Sequence, residues 1–268
     1  MVVLDGLQFK TAVSSMGYMN HLVEKSKSSF YKVQSELPSL SRPLYEVLLT
    51  GTPCYANGIT SNQTVRLSKE ESIFHLAVNK GYTTASASYY WVSELYNRAP
   101  FNIYEDREQH DERMPIQHGK FYFDDAYPNS HLFADAEYLR KTFNPDFLYI
   151  HPMGIDDAGH KFGSDSKEYR TMVLQADDIL SLLMPSWIEM GYEIIVTSDH
   201  GMNVDGSHGG TGSDEREVPL FIISNRIEPK IYDEIVPQLS IAPLVCRLLN
   251  IEPSSQMRTI AVPGFMEI

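Results

Sequence analysis

The sequence is short of cysteine, of positive charge and of long apolar runs, and each shortage excludes a class of protein. Cys54 and Cys246 are the only cysteines among 268 residues, and their positions fit neither a metal-binding motif nor a disulfide framework. No apolar run approaches the roughly 20 residues that span a membrane. Lysine and arginine number 22 against 35 acidic residues, and the formal net charge of −13 disfavours binding to nucleic acid polymers or to an anionic membrane.

A secretory signal is also missing from the first residues, since Met1 to Leu4 already has the pattern of a strand. A cytoplasmic protein is therefore expected, although a chain trimmed at its start would look the same. Hydrophobic residues make up 43% and charged residues 21%, which is ordinary for a globular enzyme. These values leave the oligomeric state open.

The chain alternates short apolar runs with helical patterns, which predicts an α/β fold with a mainly parallel central sheet flanked by helices. A capping-box pattern at Ser68 and Glu71 predicts a helix that ends at Gly81, and further helices are predicted after Ser164 and from Ser240. We expect one catalytic domain over residues 1–268. The predicted strands are Val2 to Leu4, Phe30 to Val33, Phe147 to Ile150, Ile194 to Thr197 and Leu220 to Ile223.

Residues from about 89 to 144 differ in character from the rest of the chain. They are rich in tyrosine, phenylalanine, proline, histidine and charge, and their periodicity is poor. We interpret this segment as a small cap, inserted in the domain, that selects the substrate. Tyr90 and Trp91 offer flat apolar surface for an organic group, although core packing explains such aromatic residues equally well.

Aspartate and histidine residues fall just after the predicted strands, where open α/β sheets place their ligand sites. Each group alone also fits an ordinary turn, a helix pair or an exposed loop. Their recurrence at one end of the predicted sheet is what favours a common site. Mixed carboxylate and imidazole ligands suit zinc or a similar first-row metal better than calcium or magnesium. The residues are Asp5, Asp156, His160, Asp199, His200 and His208.

Ser41 is the candidate nucleophile. It precedes Pro43 and a helical stretch followed by Gly51, and proline in the first turn with glycine past the end marks a short helix. An ordinary N-cap is the commoner role for such a serine. The same position also suits catalysis, because helix N-terminal N–H groups attract a phosphate and a metal ion lowers the pKa of the hydroxyl.

These residues, in this order, resemble the alkaline phosphatase superfamily, and especially its nucleotide pyrophosphatase/phosphodiesterase branch. The resemblance covers almost the whole chain, and its Asp-x-x-x-His and Ser-Asp-His-Gly-Met segments are specific. The matching segments are Val3 to Gly6, Leu48 to Gly51 running to Ile59, Asp156 to Gly163, Ser198 to Met202 and Ser207 to Gly209.

The resemblance implies two divalent metal ions, with zinc as the first choice and manganese or iron as alternatives. It makes Ser41 the nucleophile, because that family's nucleophile lies ten residues before the glycine of a Thr-Gly pair. The small-molecule substrate would be a phosphate ester, cleaved through a covalent phosphoserine. One metal would be held by Asp5, Ser41, Asp199 and His200, and the other by Asp156, His160 and His208.

The sequence also departs from that branch. The nucleophile is serine rather than the usual threonine, and Leu44 stands where the branch has an asparagine that contacts a phosphate oxygen. His208 follows Asp199 closely, so an insertion seen in many relatives is missing. Sulfatases share the fold, but Tyr45 interrupts the motif that their modified nucleophile needs, which makes a sulfatase the weaker alternative.

The sequence thus predicts a phosphodiesterase-like or nucleotide pyrophosphatase-like hydrolase. A transferase of a phosphate-containing group to an alcohol, a phosphomonoesterase and an inactive metal-binding module are the alternatives. Hydrolysis is preferred over transfer because no membrane segment is visible and the transferases of comparable type act at membranes. The candidate substrate-binding residues are Arg42, Tyr45, Tyr90 and Trp91.

Overall fold

A computed structural model describes residues 1–258 and 261–266, and nine strands lie within them. The strands are β1 (Val2–Val3), β2 (Ser29–Gln34), β3 (Thr84–Tyr89), β4 (Glu108–His110), β5 (His118–Tyr122), β6 (Phe147–Ile150), β7 (Ile194–Thr197), β8 (Glu217–Ile223) and β9 (Ile231–Pro237). They form one sheet in the order β4-β5-β3-β6-β1-β7-β8-β2-β9. The five neighbouring strands β5, β3, β6, β1 and β7 run parallel to one another, while β4 and β8 are antiparallel to the strands beside them. The predicted α/β fold with a mainly parallel sheet is confirmed.

Eleven α-helices connect these strands in the described part of the chain. Among them, α9 is the longest, yet no described helix combines the length and the apolar character needed to cross a membrane. The helices are α1 (Phe9–Ser15), α2 (Gly17–Glu24), α3 (Ser41–Thr50), α4 (Cys54–Asn57), α5 (Ile73–Asn79), α6 (Trp91–Tyr96), α7 (Asn129–Phe143), α8 (Gly154–Phe162), α9 (Lys167–Glu189), α10 (Ser213–Arg216) and α11 (Ile241–Leu248).

Both faces of the sheet are covered, as the central strand β1 shows. Val3 packs into one hydrophobic core and Val2 into the other, because successive side chains of a strand point to opposite faces. Residues of α3, α5, α6 and α11 build the core on the Val3 face. Residues of α1, α2, α7 and α9 build the core on the Val2 face.

The helix predicted from Ser68 begins at Ile73 instead, so this prediction of its start is wrong. Ser72 is the N-cap: its side chain accepts a hydrogen bond from the His75 N–H, and the Ser72 N–H donates to His75 Nδ1. The hydroxyl of Ser68 donates to the Glu46 carboxylate. The capping-box pattern requires Glu or Gln three residues after the serine, which fits Ser68 with Glu71 but not Ser72 with His75, so the pattern selected the wrong serine.

The segment predicted as a cap is joined to the sheet. Within residues 89–144, β5 pairs parallel with β3, β4 adds an antiparallel edge strand, and α7 packs against β3 and β5. The structure therefore differs from an insertion that stands apart from the sheet. Tyr90 follows β3 at the edge where the parallel strands end, so a role in substrate selection stays a prediction.

A buried carboxylate lies inside α3. Glu46 is fully buried and accepts hydrogen bonds from Ser68 and from the Tyr96 hydroxyl, the latter at 2.8 Å. Burial raises the pKa of Glu46 from 4.5 to about 7, although the two hydrogen bonds oppose the rise. The folded protein therefore keeps a proton on this group that the unfolded chain releases above its ordinary pKa.

We expect the stability of the protein to fall as pH rises from about 4.5 to 7, because the folded state binds more protons in this window. The difference between these two pKa values corresponds to about 3 kcal/mol. Glu46→Gln should remove that dependence. The measurement is urea unfolding of wild type and variant in metal-free buffer at pH 5 and pH 8. If the free energies of unfolding of wild type and Glu46→Gln differ by the same amount at pH 5 and pH 8, the raised pKa of Glu46 is contradicted.

Candidate active site

Loops at one edge of the sheet carry the predicted metal ligands. Asp5 follows β1, Asp199 and His200 follow β7, and α8, which carries Asp156 and His160, starts shortly after β6. Because β6, β1 and β7 are adjacent and parallel, their carboxyl ends meet at the same edge.

A glycine permits the close approach of α8 to the end of β1. Gly6 has a φ of +73°, and a Cβ at this position would lie 2.9 Å from the Cα of Asp156. No other residue type fits there without moving the helix. The hydroxyl of Tyr169 donates to the Gly6 carbonyl at 2.6 Å and further fixes the turn. The Asp5-Gly6 pair is thus a turn that also sets the spacing of the site.

Ser41 is the first residue of α3, as the sequence predicts, and Gly51 ends the helix in the left-handed conformation at φ 62°. The side chain of Ser41 is buried, and its Oγ lies 3.0 Å from His200 Nε2. The hydroxyl therefore meets the predicted ligands at the positive end of a helix, where an alkoxide and a phosphate are both stabilised.

The three predicted histidine ligands are held in the same way. His160, His200 and His208 each place Nδ1 at 2.8 Å from a backbone carbonyl, so Nδ1 carries the proton. The lone pair of each ring is then on Nε2. The Nε2 atoms of His160 and His208 lie 3.1 Å apart, and two lone pairs at this distance repel unless a cation lies between them. Such an arrangement is typical of metal ligands.

The carboxylates of the cluster also expose oxygen atoms to one another. Within residues 1–258 and 261–266, no hydrogen-bond donor meets the buried atoms Asp5 Oδ1, Asp156 Oδ1 or Asp199 Oδ2. His200 Nε2 lies 3.3 Å from Asp5 Oδ1 and 3.3 Å from Asp199 Oδ2. A buried anion without a partner costs free energy, and a bound cation near these oxygens would offset that cost.

The pKa values of the cluster are also shifted, as close packing of buried charged groups requires. Burial and the charge of Asp5 raise the pKa of Asp156 and Asp199 well above the ordinary value. Burial alone would raise the pKa of Asp5 too, but the hydrogen bond from His151 and the nearby His200 lower it to about 2. Burial, with the charge of His200, lowers the pKa of His208 to about 3, which leaves a neutral ring.

All seven predicted ligands are brought together, and their chemistry fits divalent metal ions. Two compact groupings of ligand atoms are present among the described residues, one of Asp5, Asp199 and His200 and one of Asp156, His200 and His208. His160 Nε2 lies 3.4 Å from Asp156 Oδ2, and its side chain is 47% exposed, so the cluster opens to solvent on this side. The division of the ligands between two metals stays a prediction.

His151 belongs to the site but was missed in the sequence. It is fully buried, and its Nε2 lies 3.0 Å from Asp5 Oδ2. A signal was present, because His151 is the first residue after β6, and Asp5 and Asp199 follow their strands in a similar way.

Two predicted substrate-binding residues are buried and hydrogen-bonded within the protein. The Arg42 guanidinium is 1% exposed, donates to Glu94 Oε2 at 2.7 Å and stacks on Trp91 at 4.7 Å from the ring centre. The guanidinium also donates to the Thr64 carbonyl at 3.1 Å, so Arg42 has structural partners of its own, and its contact with a substrate stays a prediction. Tyr45 is also fully buried, and its hydroxyl donates to Asp5 Oδ2 at 2.5 Å rather than facing a substrate. Burial raises the pKa of Tyr45 well above its usual value, so the hydroxyl keeps its proton.

Tyr90 and Trp91 lie between the core and the surface. Both are partly buried, and Tyr90 packs against Phe101 with ring centres 5.2 Å apart. Trp91 contacts Tyr89 edge-on at 5.0 Å. The two residues therefore have structural contacts of their own, and their contact with a substrate stays a prediction.

Comparison with known proteins finds a matching family and several curated relatives. A family model described as type I phosphodiesterase / nucleotide pyrophosphatase matches residues 1–205. GPI ethanolamine phosphate transferase 3 of Saccharomyces cerevisiae is 34% identical over 100 residues, which cover 37% of this chain and 9% of that protein. The catalytic subunit of GPI ethanolamine phosphate transferase 2 of Homo sapiens is 24% identical over 241 residues, which cover 85% of this chain and 23% of that protein. This chain thus spans less than a quarter of the length of these relatives.

Solved structures share the fold over nearly the whole chain. Murine ectonucleotide pyrophosphatase / phosphodiesterase 5 superposes with a TM-score of 0.75 at 12% identity, covering 94% of this chain and 95% of that one. The alkaline phosphatase PafA superposes with a TM-score of 0.72 at 11% identity, covering 99% and 98%. The fold is therefore that of the alkaline phosphatase superfamily, as the sequence predicts.

Proposed function

Because the chain belongs to the type I phosphodiesterase / nucleotide pyrophosphatase family, we propose that it breaks a phosphodiester through Ser41 and transfers the phosphate-containing group to an alcohol. The observation that carries this proposal is the position of Ser41 Oγ, 3.0 Å from His200 Nε2 at the start of α3. Leu40 is the N-cap of α3 and Ser41 is its first residue, so the Ser41 hydroxyl faces a ligand nitrogen instead of capping the helix.

The donor set defines which metal chemistry is available. Two divalent metal ions, with zinc favoured by the ligands, would supply Lewis acidity and neutralise the charge of the phosphate. The residues that would hold them are Asp5, Ser41, Asp199 and His200 in one set and Asp156, His160 and His208 in the other.

The reaction itself proceeds in two displacements at phosphorus. The Oγ of Ser41 bonds to phosphorus while the P–O bond to the first alcohol breaks, and that alcohol leaves with the proton of the serine. A second alcohol then attacks the phosphoserine, gives its proton back to Ser41 and leaves as a new diester. Two displacements in line at one phosphorus lead to net retention of its configuration.

Transfer is favoured over the hydrolysis that the sequence suggested, because the curated relatives are named as transferases of ethanolamine phosphate. We propose ethanolamine phosphate as the transferred group. The prediction of hydrolysis depended on a missing membrane segment. That argument has no weight for a chain that spans a small part of its relatives.

Hydrolysis remains the second candidate, and two observations favour it. The family description includes phosphodiesterases and nucleotide pyrophosphatases, and the exposed ring of His160 opens the cluster to water. Transfer and hydrolysis share the phosphoserine and differ in the acceptor that attacks it. The experiment must therefore determine whether water or an alcohol accepts the group from the phosphoserine.

The test uses a p-nitrophenyl diester of ethanolamine phosphate, with zinc present and a simple sugar glycoside as the alcohol. We expect nitrophenolate release together with a new sugar diester, detected by phosphorus NMR, whose share rises with glycoside concentration. Ser41→Ala is the matched control and should form neither product. Free ethanolamine phosphate as the sole product at every glycoside concentration would reject transfer and support hydrolysis.

A further inference from the structure

Two buried donors converge on the same oxygen of Asp5. The Tyr45 hydroxyl donates to Oδ2 at 2.5 Å, and His151 Nε2 lies 3.0 Å from the same atom. The other oxygen, Oδ1, has no donor among the described residues and lies 3.3 Å from His200 Nε2. In the Asp5 carboxylate, Oδ2 therefore accepts two hydrogen bonds, while Oδ1 accepts none from the described residues and faces the ligand cluster.

We propose that Tyr45 and His151 form a clamp that holds Asp5 so that only Oδ1 is available to a metal ion. The inference rests on the metal-ligand role of Asp5 in the proposed function. It gives Tyr45 and His151 a positioning role, since neither side chain is among the predicted ligands and each acts through Asp5.

The His151 side of the clamp is fixed by backbone and ring contacts. The His151 N–H donates to the Ala87 carbonyl at 2.9 Å, and its own carbonyl accepts from the Tyr122 hydroxyl at 2.9 Å. The ring lies edge-on to Tyr45 at 4.5 Å and parallel to Tyr149 at 6.1 Å. These contacts with β3, β5 and α3 hold the imidazole against Asp5.

The tautomer of His151 follows from its surroundings. No partner for Nδ1 exists in the described part of the chain, so a proton there would be a buried, unpaired donor. The proton is therefore on Nε2, which donates to Asp5 Oδ2. The oxygen then accepts two hydrogen bonds, which strongly disfavours its use as a second metal ligand.

The chemical consequence concerns the number of ligands that the protein provides. A free carboxylate can bind a metal through both oxygens, which fills two coordination positions. A clamped Asp5 fills one and leaves a position for Ser41 or for the substrate. A hydrogen-bonded outer shell of this kind also keeps the ligand in one rotamer, which strengthens metal binding.

The test compares Tyr45→Phe and His151→Asn, singly and combined, with His151→Gln, whose longer side chain can carry an N–H to the place of Nε2. We expect each loss of a donor to weaken Zn²⁺ affinity by about 10–100-fold in competition with a chelating dye. The Co²⁺-loaded double variant should show a weaker visible absorption, because a two-oxygen Asp5 raises the coordination number. His151→Gln should restore most of both signals.

Tyr96→Phe is the matched control, because it removes a buried tyrosine donor from Glu46 instead of Asp5. It should lower stability without changing zinc affinity or the cobalt spectrum. Wild-type affinity and spectrum in Tyr45→Phe, which keeps the buried ring, would overturn the clamp even if the double variant does not fold. A wild-type protein that binds neither Zn²⁺ nor Co²⁺ would reject the proposed function, and the clamp with it.

Discussion

Ser41→Ala is expected to slow nitrophenolate release from the diester by about 10³-fold or more, because the change removes the nucleophile and a predicted metal ligand together. Among the described residues, the buried Oγ of Ser41 has one hydrogen-bonding partner, His200 Nε2 at 3.0 Å, so its loss should leave the fold of α3 unchanged. The measurement is kcat/KM under zinc saturation, with circular dichroism as the check on folding.

Ser41→Thr is the matched comparison, since threonine is the usual nucleophile in the branch that the sequence resembles. It keeps the hydroxyl at the first position of α3 and should retain much of the activity. A peptide that contains residue 41 and carries the ethanolamine phosphate group should be trapped by acid quenching of wild type and should be missing from Ser41→Ala. Near wild-type turnover in Ser41→Ala would contradict the covalent mechanism.

The parts of the fold that were predictable share a strong local pattern. β6 and β7 are runs of apolar and aromatic residues, and both were predicted with their observed bounds. β3, with the sequence TASASY, was missed because alanine and serine carry little strand propensity. Its assignment comes from pairing with β5 and β6, which is tertiary information.

In the site, too, the features that follow from a local sequence pattern were predictable and those that depend on tertiary packing were not. The predicted ligands follow strands, and the parallel sheet then brings them together, so their clustering needs little knowledge beyond the order of elements. The roles of Arg42 and Tyr45 depended on which way α3 faces. Both lie close to Ser41 in sequence and are candidate substrate-binding residues for that reason, but at helical spacing their side chains contact Glu94 and Asp5.

Asp156→Asn is expected to stabilise the metal-free protein and to reduce its stabilisation by zinc without abolishing it, because the predicted ligand set of Asp5, Ser41, Asp199 and His200 stays intact. Asp156 is buried near Asp5 and Asp199, and its Oδ1 has no donor within residues 1–258 and 261–266, so a neutral amide removes repulsion. The amide N–H can donate to His160 Nε2, which lies 3.4 Å from Asp156 Oδ2. In wild type, zinc at about 1,000 times its Kd adds about 4 kcal/mol, which corresponds to a rise in Tm of about 10 °C.

Asp157→Asn provides the matched control on the same helix. Asp157 points outward and pairs with Lys161 at 2.7 Å, so its neutralisation removes one carboxylate charge outside the cluster. That variant should keep the full zinc-induced rise in Tm and should lose little stability, because an exposed pair contributes about 0–1 kcal/mol. Thermal unfolding of the three proteins with EDTA and with zinc separates the effects. If Asp156 is a ligand, its loss should lower the zinc-induced rise in Tm and the loss of Asp157 should not. An equal rise in Tm in Asp156→Asn and Asp157→Asn would therefore remove Asp156 from the ligand set.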